Sequence, residues 1–218
     1  PRQAVAVRDA LHIAASIKQR LKGSHSPLLI QVGSSLPACD EMISQISKAM
    51  SDDPPLVINK GGMIKPGYSE KLDQLNESIR GARRYIGDLQ KIERERTGIS
   101  SLKVGFNKIF GYYIEITRAN AEAVPQDYIR KQTLVNAERY ITPELKEKEE
   151  LILAAEEKIF SLEAELYAEL VDSLASRIAD IVHTAELLAE VDLVAALAEL
   201  AVTRGYCRPE LYDDDRRM

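Results

Sequence analysis

Cationic and amide side chains concentrate in one stretch of the sequence, residues 101–142. Six lysines and arginines there stand against four carboxylates, so this stretch has a net charge of +2 although the whole chain carries −5. Amide and hydroxyl groups lie among these cations, at Asn107, Gln132, Thr133 and Asn136. Such groups donate hydrogen bonds to phosphate oxygens and hold a nucleic-acid backbone without reading its sequence. Because the chain as a whole is acidic, any binding of this kind has to be local.

The same stretch contains the closest aromatic pairs of the chain, in "GFNKIFGYYIEIT" at residues 105–117. Two interpretations are open: a platform on which unpaired bases stack, or the core of a small sheet. Tyr112 and Tyr113 are neighbours, and neighbouring residues of a strand face opposite ways. This arrangement favours a core position for at least one of the two rings.

Signatures of catalysis are missing from the sequence, which contains no phosphate loop, no nucleophile elbow and no paired zinc histidines. His12, His25 and His183 each lack a second ligand three or four residues away, so we expect neither a metal site nor catalytic residues. Cys39 and Cys207 are far apart, and we expect two buried free thiols in a reduced, cytoplasmic setting. A start without Met and the ending "YDDDRRM" suggest a piece of a longer protein.

Long helices are predicted on both sides of the cationic stretch. Before it, apolar residues recur at alternating steps of three and four from Leu72 to Leu89. After it, Thr142 is suited to cap a helix and Pro143 to its first position, and the apolar stripe then continues to a stop at Gly205 as one bent helix or two. The simplest fold is mainly α, with an inserted small β-rich (α+β) domain at the tip of an antiparallel helical stalk.

The N-terminal part is predicted to be helical with interruptions. An apolar stripe indicates a first helix that ends at Gly23, and a loop rich in Ser, Gly and Pro follows at residues 24–37. A second short helix is expected at residues 42–50. Two short apolar runs around "NKGG" then predict a small β-hairpin near residues 56–65.

Four motifs carry a specific resemblance to a known family. They are "ERERTGISSLKVGFNKIFGYYIEITRAN", "DYIRKQTLVNAERYITPELKEKE", "AEVDLVAALAE" and "GYCRPEL". On these residues the chain resembles the bacterial MutS family of DNA mismatch repair proteins, over essentially its whole length. The resemblance implies lever and core helices at 1–98, a β-rich clamp at 99–142, lever helices returning at 143–205, and a tail at 206–218 that leads towards an ATPase domain.

The resemblance also implies which residues contact DNA. In the family the clamp grips the duplex backbone without sequence preference. Its contacts map onto Asn107, Lys108, Asn136, Arg130 and Lys131. One departure weakens the expected grip, because Val135 stands where the family commonly has Lys before the asparagine.

The resemblance implies a noncatalytic fragment whose lever helices couple the clamp mechanically to the ATPase domain. We expect no cofactor in this fragment, although the full-length family protein uses ATP and Mg. The implied partners are duplex DNA, a second MutS subunit and the repair factor MutL, in the cytoplasm near the nucleoid and away from any membrane. The alternative is a coiled-coil scaffold whose tip binds another protein. DNA binding predicts that the five contact residues gather on one side, whereas a protein-binding tip predicts an exposed apolar patch.

Overall fold

The computed structural model describes residues 1–109 and 111–210, except for the side chain of Asn59. Its α-helices are α1 (Arg2–Leu21), α2 (Pro27–Ser35), α3 (Asp40–Ala49), α4 (Glu70–Thr97), α5 (Pro143–Ala175) and α6 (Ile178–Arg204). Its strands are β1 (Lys103–Asn107), β2 (Gly111–Thr117), β3 (Ile129–Thr133) and β4 (Ala137–Ile141). The chain is therefore mainly helical with a small inserted sheet, as predicted. Part of the predicted tail, residues 211–218, lies outside the described residues.

Two compact units make up the chain, and the boundary between them falls within α5. One unit comprises Pro1–Asp52 and the residues from Glu169 onwards. In it α1 packs against α2 and α3, around buried side chains such as Leu11 and Met42. The other unit comprises Asp53–Ala168 and contains the whole sheet.

Several predictions for the N-terminal part are corrected by the structure. Residues 27–35 form α2 instead of a loop, because Pro27 stands at the first helical turn and an apolar run follows it. Lys22, with right-handed backbone angles, ends α1, so Gly23 is not the left-handed cap that we predicted. Cys39 is buried as expected, whereas Cys207 is exposed.

The predicted β-hairpin near residues 56–65 does not form. Ile58–Lys60 are a 3-10 helix instead, and neither flank is a strand. Gly61 and Gly62 do adopt the positive φ angles that a turn needs, 70° and 82°. The buried carboxylate of Glu163 on α5 accepts hydrogen bonds from the backbone amides of Gly62, Met63 and Ile64, at 3.0, 3.3 and 3.3 Å. These amides are therefore bound to a side chain rather than to a facing strand.

Helix α4, which contains the predicted apolar stripe, is capped at both ends. Ser69 Oγ accepts from the amide of Leu72 at 3.4 Å, and Gly98 ends the helix with a φ of 71°. Two contacts show how α4 lies against α5. Lys148 of α5 lies over the ring of Tyr85 at 5.7 Å. Glu156, later in α5, pairs with Arg83, which is earlier in α4, at 2.6 Å. Within this unit α4 and the first part of α5 are therefore antiparallel.

A buried carboxylate also joins α4 to the segment before β3. Glu93 accepts from the hydroxyl of Tyr128 and from Nε of Arg96, both at 2.8 Å. Arg96 in turn donates to Asp127 at 3.0 Å. Burial and the hydrogen bond to Glu93 raise the pKa of Tyr128. This network holds the end of α4 against the chain that leads into the sheet.

Helices α5 and α6 show whether the C-terminal apolar stripe forms one bent helix or two. Thr142 Oγ1 accepts from the amide of Leu145 at 3.1 Å and caps α5, with Pro143 at the first helical position as predicted. The C-terminal stripe forms two helices rather than one, because the helical path is interrupted after Ala175. Gly205, with a φ of 64°, ends α6. No helix among residues 1–109 and 111–210 combines the length and the apolar composition needed to cross a bilayer.

Candidate nucleic-acid interface

The sheet is fully antiparallel, in the order β1-β2-β4-β3, and its register decides where the predicted contacts lie. Asn107 pairs with Gly111, so the β1–β2 loop is at the start of β2. Thr117 pairs with Ala137, so the β3–β4 loop is at the end of β2. At about 3.4 Å per residue, these two loops are about 20 Å apart along β2. The loops thus occupy opposite ends of the sheet.

The β1–β2 loop presents Lys108 to solvent. Asn107 Oδ1 accepts from the amide of Ile109 at 2.8 Å, a local bond that shapes this turn. Both Lys108 and Ile109 are exposed, Ile109 to 83%. Phe110 lies outside the described residues, and Gly111 returns the chain to β2 with a φ of 74°.

A carboxylate from α5 holds the start of β2. The ladder between β2 and β4 begins at Ile114, so Tyr112 lies beyond it, and its amide donates to Glu149 Oε1 at 3.1 Å. A Cβ atom placed on Gly111 would come within 1.7 Å of the same oxygen. Two features therefore require glycine at residue 111: the positive φ angle and the short distance to Glu149.

The β3–β4 loop presents Asn136 at the other end. Asn136 is exposed, and its neighbour Val135 is 82% exposed. The backbone carbonyl of Asn136 accepts from the amide of Arg118 at 3.1 Å, and the amide of Leu134 donates to the carbonyl of Ala137 at 2.8 Å. Arg118 immediately follows β2, so the end of β2 and the β3–β4 loop are joined directly.

Arg130 and Lys131 lie on the outer strand β3. The Arg130 guanidinium is 3.5 Å from the carboxylate of Glu138, and Lys131 is exposed at an irregularity in the pairing of β3 with β4. Glu138 also accepts from the hydroxyl of Tyr140. Burial, together with this hydrogen bond, raises the pKa of Tyr140 to about 12. Arg130 is therefore partly committed to a carboxylate, since an ion pair competes with any phosphate.

Neither Tyr112 nor Tyr113 takes the core position that we expected for at least one of them, because both are half-buried and Phe106 is 59% exposed. Arg139 lies over the ring of Tyr113 at 4.1 Å, and it also donates to Glu115 at 2.9 Å and to Gln132 at 3.1 Å. Tyr112 packs against Phe106, with ring centroids 4.9 Å apart. The deepest positions of the sheet belong instead to Ile114 and Ile116.

The structure brings together some of the predicted contacts and separates others. Asn107 ends β1 next to Lys108 in the β1–β2 loop, Asn136 lies at the opposite end, and Arg130 and Lys131 lie on β3. The five residues therefore line more than one part of the sheet, because the β1–β2 and β3–β4 loops lie at opposite ends of β2 in this register. Their contact with DNA stays a prediction.

Sequence reasoning did not single out Arg118 as a contact. It entered only the charge count, because no motif distinguishes it from the other cations of the stretch. Its closeness to Asn136 depends on the register of β2 and β4, which no short sequence pattern specifies. Elsewhere in the described chain, no group of three or more His, Cys, Asp or Glu side chains is arranged to hold a metal ion.

Comparisons of the sequence with known proteins point to one family. Residues 67–158, which include α4, the sheet and the start of α5, match the model of MutS family domain IV. The chain is 47% identical over 213 residues to a DNA mismatch repair protein MutS from Salinibacter ruber, and 45% identical over 217 residues to one from Methanosarcina barkeri. Each match covers 98% of this chain and 24% of the relative.

A third relative extends the same pattern. The DNA mismatch repair protein MutS of Brevibacillus brevis is 44% identical over 213 residues, covering 97% of this chain and 25% of its own length. The chain thus spans about a quarter of the length of the curated relatives that it matches. Identity of this degree over nearly the whole chain, together with the match across the sheet, leads to one conclusion: the chain belongs to the MutS family.

Proposed function

We propose that this chain grips the backbone of duplex DNA without reading its sequence, through the loops at both ends of the sheet. Family membership supports the proposal, because the matched relatives are named as DNA mismatch repair proteins. The observation that carries it is the exposure of Lys108 in one loop and Asn136 in the other. Both groups donate hydrogen bonds to phosphate oxygens, which fixes a protein on DNA but conveys no sequence information.

The spacing of the two loops suits two separate phosphate contacts. Their separation of about 20 Å along β2 corresponds to about six nucleotide steps, since one strand of DNA rises about 3.4 Å per nucleotide. One phosphate cannot reach both loops at that spacing. The two ends therefore contribute independently to affinity, and the cation Lys108 accounts for part of the salt dependence.

The helices α4 and α5 serve in this proposal as levers that carry movement to and from the clamp, residues 99–142. A lever transmits force only while its seam stays packed. Ile79 and Ile86 of α4 and Ile159 of α5 are buried, and Leu75 and Leu166 are half-buried, as a packed seam requires. In the whole protein we propose a second MutS subunit, MutL, and ATP with Mg at an ATPase domain as partners, in the cytoplasm near the nucleoid.

Fluorescence anisotropy with matched and mismatched duplexes across a salt series tests the grip. We expect weak binding that ignores the mismatch and falls steeply with salt. Replacing Lys108 by alanine should reduce the slope of log affinity against log salt by about 0.9, the value for one phosphate contact. Asn136→Ala should weaken binding while leaving the slope unchanged, because asparagine carries no charge.

Lys71→Ala is the matched control, since Lys71 is an exposed lysine at the start of α4, away from the sheet. It should change neither affinity nor slope. Selective binding of the mismatch, binding that ignores salt, or no binding at low salt would each contradict the proposal.

A second candidate function is capture of a protein by the sheet, and exposed apolar residues favour it. Ile109 and Val135 are 83% and 82% exposed. They stand at opposite ends of the sheet, however, and do not make one patch. The substitution Val135→Lys separates the two candidates, because an added cation should tighten DNA binding and would disrupt an apolar contact.

A further inference from the structure

We infer that Arg118 is a phosphate-binding residue at the β3–β4 end of the sheet, and that it contacts the same DNA phosphate as Asn136. This inference rests on the proposed function. Arg118 directly follows β2, and its amide donates to the carbonyl of Asn136 at 3.1 Å. The two residues are therefore fixed as neighbours through their backbones, whatever their side chains bind.

The guanidinium of Arg118 differs from the others around the sheet. Arg130 pairs with Glu138, Arg139 with Glu115, and Arg96 with two carboxylates. Within the described residues no carboxylate or other side chain pairs with Arg118, which is exposed. A guanidinium without an ion-pair partner binds a phosphate without first giving up a carboxylate, and its planar fork suits two phosphate oxygens at once.

A neutral hydrogen-bond network fixes the backbone that carries Arg118. Asn120 Nδ2 donates to Ser101 Oγ at 2.8 Å and to Thr117 Oγ1 at 3.2 Å, and the two hydroxyls are 3.1 Å apart. These bonds hold the 3-10 turn Arg118–Ala123 against the chain that leads into β1. Because the backbone is already ordered, binding loses only the side-chain freedom of Arg118.

Arg118 provides a positive charge next to the β3–β4 loop, which has none of its own. Val135 stands immediately before Asn136 and is 82% exposed, so the loop itself offers an amide and no positive charge. Arg118 supplies that charge from the adjacent end of β2. A salt-dependent contact at this end of the sheet therefore requires Arg118 rather than a residue of the loop.

The test uses this chain and a short matched DNA duplex, with affinity measured by anisotropy over a salt series. Arg118→Ala should lower the slope of log affinity against log salt by about 0.9, and Arg118→Lys should keep the slope but bind less tightly. Arg84→Ala is the matched control, because Arg84 is an exposed arginine of α4 without a described side-chain partner. It should leave affinity and slope unchanged.

Combined variants test whether Arg118 and Asn136 share one phosphate. The effects of Arg118→Ala and Asn136→Ala on log affinity should be less than additive, because either change removes a ligand of the same group. The effects of Arg118→Ala and Lys108→Ala should be additive, since those residues lie at opposite ends of β2. In the Arg118→Ala background, Val135→Lys should restore the lost slope.

Two outcomes separate this inference from the proposed function. If Lys108→Ala weakens binding while Arg118→Ala matches Arg84→Ala, the inference about Arg118 is overturned and the grip on DNA stands. If the unaltered chain shows no salt-sensitive binding, the proposed function fails, and the inference fails with it. Additive effects of Arg118→Ala and Asn136→Ala would exclude a shared phosphate. Thermal unfolding of each variant verifies that it is folded.

Discussion

The two ends of the sheet hold their loops in place by different means. At the β1–β2 end, a charged side chain from α5, Glu149, binds the amide of Tyr112 and leaves no room for a side chain at residue 111. At the β3–β4 end, the amide of Arg118 binds the carbonyl of Asn136, and neutral groups of Ser101, Thr117 and Asn120 fix the turn that carries Arg118. One loop is thus tied to a helix, and the other to the sheet and the chain beside it.

This difference indicates how the two proposed contacts would respond to movement of the helices. A shift of α5 at Glu149 acts on the start of β2, next to the β1–β2 loop, through the hydrogen bond to Tyr112. The β3–β4 loop has no comparable bond to a helix among those described, and it would follow the sheet as a whole. The Lys108 contact is therefore the one that we expect to be coupled to α5.

Substitution of Gly111 by alanine should produce the largest loss of stability. The added Cβ meets Glu149 Oε1 at 1.7 Å, and residue 111 must keep a positive φ. Left-handed strain costs about 1–2 kcal/mol, and displacing a hydrogen bond to a charged group costs about 1.5–3 kcal/mol more. We expect the free energy of unfolding in urea to fall by about 3 kcal/mol.

Gly67→Ala provides the control for this experiment. Gly67 has a φ of 87° in the same unit, and no atom lies within 4 Å of its added Cβ. It should lose only the strain, about 1–2 kcal/mol. If Gly111→Ala and Gly67→Ala lower the free energy of unfolding equally, the Glu149 side chain moves aside at no cost, and the β1–β2 end is not held tightly.

Replacing Glu149 by alanine should have an intermediate effect. The amide of Tyr112 then loses its acceptor, at a cost of about 1.5 kcal/mol in urea unfolding. Glu149→Gln keeps an acceptor oxygen and should recover part of the loss. In the Glu149→Ala background, Gly111→Ala should cost less than in the original chain, because the clash is gone.

Glu147→Ala serves as the neighbouring control on α5. Its side chain is exposed and lies 3.9 Å from Lys148, so its removal should change stability by less than about 0.5 kcal/mol. A loss for Glu147→Ala as large as that for Glu149→Ala would mean that helix charge, and not the bond to Tyr112, stabilises this end.

The smallest loss of stability is expected at the β3–β4 end of the sheet, from Asn120→Ala. This change removes two hydrogen bonds between uncharged groups near the surface, and we expect a loss of about 1 kcal/mol in urea unfolding. Glu122→Ala, an exposed change in the same 3-10 turn, should stay within about 0.5 kcal/mol. If Asn120→Ala costs more than Glu149→Ala, the contrast between the two ends is reversed.

Local signals in the sequence predicted most of the secondary structure. The apolar rhythm of α4 and the cap at Thr142 are confirmed, as is the small inserted sheet. These features depend on residues close together in the chain. The helical stalk with the sheet at its tip, and its role as a lever, stay proposals.

Some of the wrong predictions were local, such as the missed helix α2, whereas the hairpin depended on residues far apart in the sequence. The hairpin near residues 56–65 gave way to Glu163, which lies about a hundred positions later and takes up the backbone amides. Strand register also decides where the five expected DNA contacts lie relative to one another, and no short sequence pattern specifies it. Arg118 was missed for the same reason. The contact of the five residues with DNA stays a prediction.

Glu163 has a consequence for how this part of the molecule exchanges hydrogen with solvent. The amides of Gly62, Met63 and Ile64 share one carboxylate as their acceptor. They cannot be released singly by movement of that side chain, so a single excursion of Glu163 exposes all three. After correction for their different intrinsic exchange rates, the three amides should therefore show one common protection factor, which measures how often Glu163 leaves the segment at residues 61–64.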